Sequence, residues 1–251
     1  MSTADIRLKS ADDIKRIKES GEICAEVFRY LNTLSLEGMS TWEVDSLVDS
    51  MINRRRARSA FKTLRDYDYS SCISIDNEVA HGIPAKKRII ASGNLVKIDI
   101  GVVFNGYFAD ACRTFSIGEV SEENRAMTAA LQESFNRALA VLKPGNTIED
   151  IGDAIAGSAQ DHGFTVLSQL TGHGVGFALH ESPRVPHYRK SGQRLILAEG
   201  MVFALEPALT RGADTIITAQ NGFTILTGDG AAAVQHEESI AVTSMGPLIL
   251  T

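Results

Sequence analysis

Only three cysteines stand in the 251 residues, Cys24, Cys72 and Cys112, and no two of them have C-x-x-C spacing. That scarcity excludes a disulfide framework and a zinc knuckle, and it makes a reducing compartment the expectation. Basic charge is also short. With 25 Lys and Arg against 31 Asp and Glu, the formal net charge is -6 and the pI near 5.5, whereas a nucleic-acid-binding surface normally carries a basic excess. No specific nucleic-acid partner is expected. No run approaches the roughly 18 apolar residues of a membrane span, and Met1-Ser-Thr-Ala-Asp5 lacks the basic-then-apolar order of a secretory signal. A cytoplasmic protein without a membrane partner is the expectation. With no low-complexity stretch, no linker and no heptad seam, the chain reads as one domain over residues 1–251 and as a monomer.

Two local exceptions interrupt the acidic balance: Arg54, Arg55, Arg56 and Arg58, then Lys86, Lys87 and Arg88. Each reads as a solvated helix end or loop, with transient contact to an RNA-rich assembly such as the ribosome as the alternative. The remaining composition, 44% hydrophobic and 22% charged, is that of an ordinary globular protein with room for a sizeable core.

Periodicity organises the chain twice over. Ile14, Ile17, Cys24, Phe28 and Leu31 recur near helical spacing after Ser10-x-x-Asp13, and a second helix is predicted from Ser40, capped with Glu43. Strands are predicted over Cys72–Ile75, Leu95–Phe104 and Tyr107–Phe115, the last two joined by Asn105-Gly106, a strong two-residue hairpin signal. The order then begins again with a helix from Ser121 to about Leu142. Next, Gly145-x-Thr147-x-x-Asp150 echoes Gly38-x-Ser40-x-x-Glu43. An α+β fold follows, of two pseudo-symmetric helix-helix-sheet halves, about 10–118 and 119–245, around a central antiparallel sheet.

Asp99, Asp110, His173, Glu206 and Glu237 each stand in an apolar segment or a Gly-rich turn. A buried carboxylate without a partner costs several kcal/mol and would rather take up a proton. Four such groups with an imidazole therefore imply cations among them, and the oxygen-rich set suits hard divalent ions better than a zinc-only site. The hairpin would bring Asp99 and Asp110 to one face, with an Arg113–Asp110 ion pair as the competing account. Gly172-His173-Gly174-Val-Gly176 leaves an imidazole projecting between glycines, with a dinucleotide loop as a weak rival, because the G-x-G-x-x-G order is absent. His180, and His81 in Glu-Val-Ala-His81-Gly-Ile-Pro, are two further candidates.

These words, with Cys72-Ile-Ser-Ile, His180-Glu-Ser-Pro and Glu206-Pro, resemble over nearly the whole chain the methionine aminopeptidases of the pita-bread metallopeptidase family M24, in their compact type I form. The resemblance implies two divalent metal ions, Co, Mn, Fe or Zn, with Asp110 and Glu237 bridging them, Asp99 chelating one, and His173 with Glu206 holding the other. It implies that Glu206 also moves a proton, and that His81 and His180 hydrogen-bond the substrate and support the tetrahedral intermediate. Cys72, Tyr67, Phe177 and Phe223 would line the pocket for the first side chain. The implied reaction is removal of N-terminal methionine from nascent proteins and peptides with a small second residue. Departures fall around that pocket. The segment from Phe61 to Tyr69 lacks the usual Gly-Tyr-Pro wording, Phe223 stands where a tryptophan is common, and Glu238 where a histidine is. An aminopeptidase of the same family with another first-residue or X-Pro preference is therefore the alternative. A non-catalytic binding protein on this scaffold would be expected to have lost ligands, and all five are present.

Overall fold

The computed structural model describes residues 6–188 and 194–251; the first five residues, read above for a secretion signal, lie outside it. Local capping chemistry starts each helix. At α1 (Ala11–Leu31) the Ser10 side chain accepts from the Asp13 amide, while the Asp13 carboxylate accepts from Ser10 N at 2.9 Å. The same reciprocal pair, Ser40 with Glu43, opens α2 (Thr41–Arg54). Ser121 opens α3 (Glu122–Val141) by accepting from Asn124 N, and Thr147 with Asp150 opens α4 (Ile148–Asp161). Each box satisfies two amide donors that a bare helix start would leave unpaired.

Two antiparallel sheets carry the helices. In the first, Leu95–Phe104 pairs with Tyr107–Ser116 along one edge and with Cys72–Ile75 and Arg58–Ser59 along the other. Its turn is the one the sequence predicts, with φ of 50° at Asn105 and 84° at Gly106. The second sheet runs in the order Gly246–Ile249, Glu238–Thr243, Val202–Leu205, Thr171–Gly174, Glu181–Pro186. The sheets meet where Glu237 N donates to Cys112 O at 2.9 Å and Cys112 N donates back at 3.2 Å. Strand alternation sorts the faces. Ile98, Ile100 and Val102 pack with Val27, Val44 and Val48 under α1 and α2, and Phe203 and Leu205 pack with Met127, Phe135 and Ile151 under α3 and α4. Each such side chain contributes about 2 kcal/mol by leaving water. The intervening residues, Asp99 and Glu206 among them, are left to the opposite face.

The short sequence echo extends into the backbone. Gly38 N donates to Ile90 O and Gly145 N to Leu197 O, at 2.8 and 3.0 Å, while isolated bridges join Ser40 to Ile89 and Thr147 to Ile196. Gly93 and Gly200 each turn the chain into the following strand with φ of 89° and 88°. Every one of these pairs is separated by 107 residues, and so are Asp99 and Glu206.

Candidate active site

Asp110 lies opposite Gly101 in the hairpin register, two residues from Asp99, so both carboxylates project from one face. Glu237 reaches the same place from the seam between the sheets, and Glu206 from the end of Val202–Leu205. His173 stands on Thr171–Gly174 between two glycines packed against neighbouring backbone. A Cβ at Gly172 would fall 2.3 Å from Ala204 O, and one at Gly174 2.3 Å from Ser182 O. Only glycine lets this strand lie so close that the imidazole reaches the acids. His173 Nε2 is 3.4 Å from Glu206 Oε1 and 3.9 Å from Asp110 Oδ2. Its Nδ1 faces the Gly174 carbonyl at 3.0 Å, an acceptor only, so the proton sits on Nδ1 and the Nε2 lone pair points into the cluster.

Electrostatics make this cluster costly to ionise without something positive in it. Burial, then the neighbouring charges of Asp110 and Glu206, pushes Asp99 well above the ordinary carboxylate range. Burial raises Asp110 to about 7 and drives Glu206 and Glu237 well up, while it lowers His173 to about 4. Oδ1 of Asp99 and of Asp110 are sealed from solvent with no hydrogen-bond donor in reach. Ligand atoms of Asp99, Asp110 and Glu237, of His173, Glu206 and Glu237, and of Asp110, His173 and His180 form three overlapping groups, each within 4.8 Å. Asp110, His173 and Glu237 are each shared by two groups. Oxygen-rich donors with one free imidazole nitrogen fit divalent cations.

The Arg113–Asp110 ion pair does not form. Arg113 instead bonds Glu238 Oε1 at 2.7 Å and the Glu237 carbonyl at 2.6 Å, so the residue standing where the family has a histidine supplies its counter-charge. The dinucleotide-loop reading also falls, because a bend and a strand, not a helix, follow the glycines. Of the basic clusters, Arg88 is tied to Glu78 and to the carbonyls of Ile73 and Ile83, Arg55 to Glu26, and Lys86 lies over Trp42.

Above the carboxylates a cavity of about 630 Å³ is lined by Tyr67, Cys72, His81, His180 and Phe223 of the residues singled out from sequence. Tyr67 OH donates to Ser71 O at 2.8 Å and sits 3.2 Å from Cys72 Sγ, while its ring meets Phe61, Tyr69 and Phe223 at 5.6 to 6.3 Å. His81 holds a φ of 56°, a left-handed conformation costly for a residue with a side chain, and its carbonyl accepts from Thr224 Oγ1. Burial, then the nearby His180, lowers its pKa, so at neutral pH it is uncharged and can donate or accept. The His180 ring meets that of His173 edge-on at 4.4 Å.

Phe177 does not join them. Gly176, at φ 138°, turns Phe177 outward, where Arg7 and Lys9 lie over its ring and Tyr107 packs at 5.9 Å. Leu179, directly before His180, is the buried residue that packs with Phe61, Tyr67 and Cys72. Glu181 fixes this loop by accepting from the amides of Phe177 and Ala178 and pairing with the buried Lys9 at 2.8 Å. Sequence reading also passed over Phe61, Leu64, Arg65, Leu170 and Arg184, which line the cavity. Only Arg184 left a signal, its alternation with buried neighbours in the strand Glu181–Pro186.

Residues 15–244 match metallopeptidase family M24. A methionine aminopeptidase of Clostridium acetobutylicum is 35% identical over 246 residues, covering 98% of each chain. The crystal structure of a methionine aminopeptidase from Thermotoga maritima superposes with a TM-score of 0.95 at 32% identity, covering 98% of this chain and 99% of that one. A prolidase from Pyrococcus horikoshii shares the fold at a TM-score of 0.77 and 26% identity, but this chain spans only 63% of its length.

Proposed function

This chain belongs to metallopeptidase family M24, and from that premise we propose how its site works as a metal-dependent methionine aminopeptidase. It removes the first methionine from peptides whose second residue is small. What supports the reading is one juxtaposition: the donor set of Asp99, Asp110, His173, Glu206 and Glu237 lies at the floor of a cavity whose wall is Tyr67, Cys72, Phe61 and Phe223. In this proposal the five residues would hold two divalent cations, and cobalt, manganese, iron or zinc all tolerate the set. Divalent cations bound there would polarise the scissile carbonyl and lower the pKa of water to near neutral.

The remaining roles fall to the chain's own groups. Glu206, a carboxyl whose pKa burial raises, accepts a proton from attacking water and passes it to the departing amine. Gln235 Nε2, 3.3 Å from Glu206 Oε2, holds it in orientation. His81 and His180, reached through the cavity, hydrogen-bond the substrate and support charge on the former carbonyl oxygen. The aromatic wall excludes water around an unbranched apolar side chain.

The test is metal-loaded protein given Met-Ala-Ser and Met-Lys-Ser. Methionine is released from the first and far more slowly from the second; release from neither overturns the reading. A panel varying the first residue, with X-Pro peptides included, decides the same-family alternative, which the pocket departures and the prolidase likeness favour. In this reading residues 1–251 act as one domain and as a cytoplasmic monomer; no helix among the described residues is long and apolar enough to cross a membrane. Its substrates are the N-termini of nascent proteins, and transient ribosome contact would use the exposed Arg54, Arg56 and Arg58.

A further inference from the structure

Two arginines line the catalytic cavity without a role in the chemistry above, Arg65 and Arg184. Arg184 lies directly across the strand pair from His173, and directly opposed residues of an antiparallel pair project from the same face. Its neighbour Val185 packs in the helix-side core, which confirms that Arg184 faces the site. It is exposed, and no carboxylate among the described residues pairs with it. The Arg65 side chain is 94% exposed and, among the described residues, pairs only with the adjacent Asp66 at 3.5 Å.

Other charges along this wall are already satisfied. Glu181 is held by Lys9 at 2.8 Å, and the carboxylates at the floor are grouped where divalent cations would oppose them. What remains uncompensated at the mouth is positive, in a chain of net charge -6. A peptide whose first residue fills the apolar end of the cavity must leave along this wall. We propose that Arg184, assisted by Arg65, is a specificity residue that takes a carboxylate lying beyond the cleaved bond: an Asp or Glu side chain, or the C-terminal carboxylate of a short peptide. Guanidinium suits this because it presents a planar fork that carboxylates match in pairs. The inference rests on the peptidase reading for the direction of the peptide, not on hydrolysis itself.

The experiment uses the full metal-loaded chain and the amidated peptides Met-Ala-Asp-Gly, Met-Ala-Gly-Gly and Met-Ala-Lys-Gly. Met-Ala-Gly, as free acid and as amide, makes a second arm. At low salt the acidic peptide is favoured over the basic one by roughly fivefold in kcat/KM, carried by KM, and the ratio shrinks towards one at about 0.5 M salt. Arg184→Glu inverts the ratio, whereas Arg29→Glu, the same charge change on the exposed side of α1, leaves it. Preference for the free acid over its amide assigns the terminal carboxylate as a source; preference confined to the Asp peptide assigns the side chain. The same peptides with a reduced, uncleavable first bond are ranked by calorimetry, so a chain that hydrolyses none of them still answers the question. An acidic-to-basic ratio that Arg184→Glu does not move, in turnover and in affinity, overturns the proposal.

Discussion

Asp99 and Glu206 stand 107 residues apart at corresponding places in the two halves, yet one lies within a ten-residue strand and the other just past a four-residue one. After Asp99 the strand runs on to Asn105-Gly106 and folds straight back, delivering Asp110 on the same rigid hairpin. After Glu206 comes Pro207, which has no amide to give a ladder, and pairing stops. The Glu206 amide turns instead towards His187 Nε2 at 3.4 Å, an imidazole that also accepts from Gly172 N at 3.2 Å. One frame thus supplies two kinds of acid: a short one locked mid-ladder, suited to holding a cation, and a longer one at a strand end, with freedom to hand on a proton.

The sharpest way to break that contrast is to neutralise the two acids separately. Glu206→Gln is expected to lower kcat by about 10² to 10⁴, the usual worth of a positioned acid-base group, and excess metal does not restore it. Asp99→Asn is expected to act through metal affinity, so that kcat recovers substantially as metal is raised. Equal recovery of both variants, followed by metal titration of single-turnover rates, would remove the distinction.

A second contrast concerns the two histidines over the site. His81 is held by its own strained backbone and by Thr224, whereas the loop before His180 depends on Lys9, a residue of the N-terminal segment whose side chain is 1% exposed. Lys9→Met leaves Glu181 buried without its partner, a loss of about 3 kcal/mol, at the low end for such pairs because Arg7 stands 3.8 Å away. Urea unfolding measures it. Lys9→Arg recovers most of the loss, and Thr224→Val costs far less.

The shared floor responds to pH in a way the frames do not. A carboxyl whose folded pKa is raised penalises the stripped fold progressively as pH rises from its unfolded value to its folded one, about 3.8 to about 7 for Asp110. Cation binding removes that penalty and requires the protons to leave. The gap in Tm between loaded and chelated protein should therefore widen from pH 5.5 to pH 8. A gap that narrows with pH would mean that the floor is not where the cations go.

Much of this was legible beforehand because it is written in short-range terms. Caps, the Asn-Gly turn and strand alternation fix where Asp99 and Asp110 point, and glycines around His173 announce a close backbone approach. The pocket wall was not legible in that way. Phe177 and Leu179 are two residues apart in one loop, and which of them enters depends on the Gly176 turn and on Glu181 reaching Lys9, 172 residues away in sequence. Arg113 likewise had two acidic partners on offer, and the choice of Glu238 over Asp110 follows from which sheet face it leaves.

The smallest expected effects test the symmetry itself. Ser40 and Thr147 open equivalent helices with the same reciprocal pair, the acid of each box accepting from the cap amide at 2.7 Å. Replacing either by alanine takes the acceptor from the amide of Glu43 or Asp150 while the acid keeps the cap amide, a loss of about 1 kcal/mol. The two are not equal in surroundings. Ser40 is buried beneath its bridge to Ile89, so water reaches the freed Glu43 amide less readily, whereas the box at Thr147 is exposed. Ser40→Ala should therefore cost about 1.5 kcal/mol and Thr147→Ala about 1, adding in the double variant because the caps lie in different halves and share no partner. Losses that add show two frames that keep their own helices. A double variant no worse than Ser40→Ala alone would show that the halves unfold in sequence, with the first setting the limit.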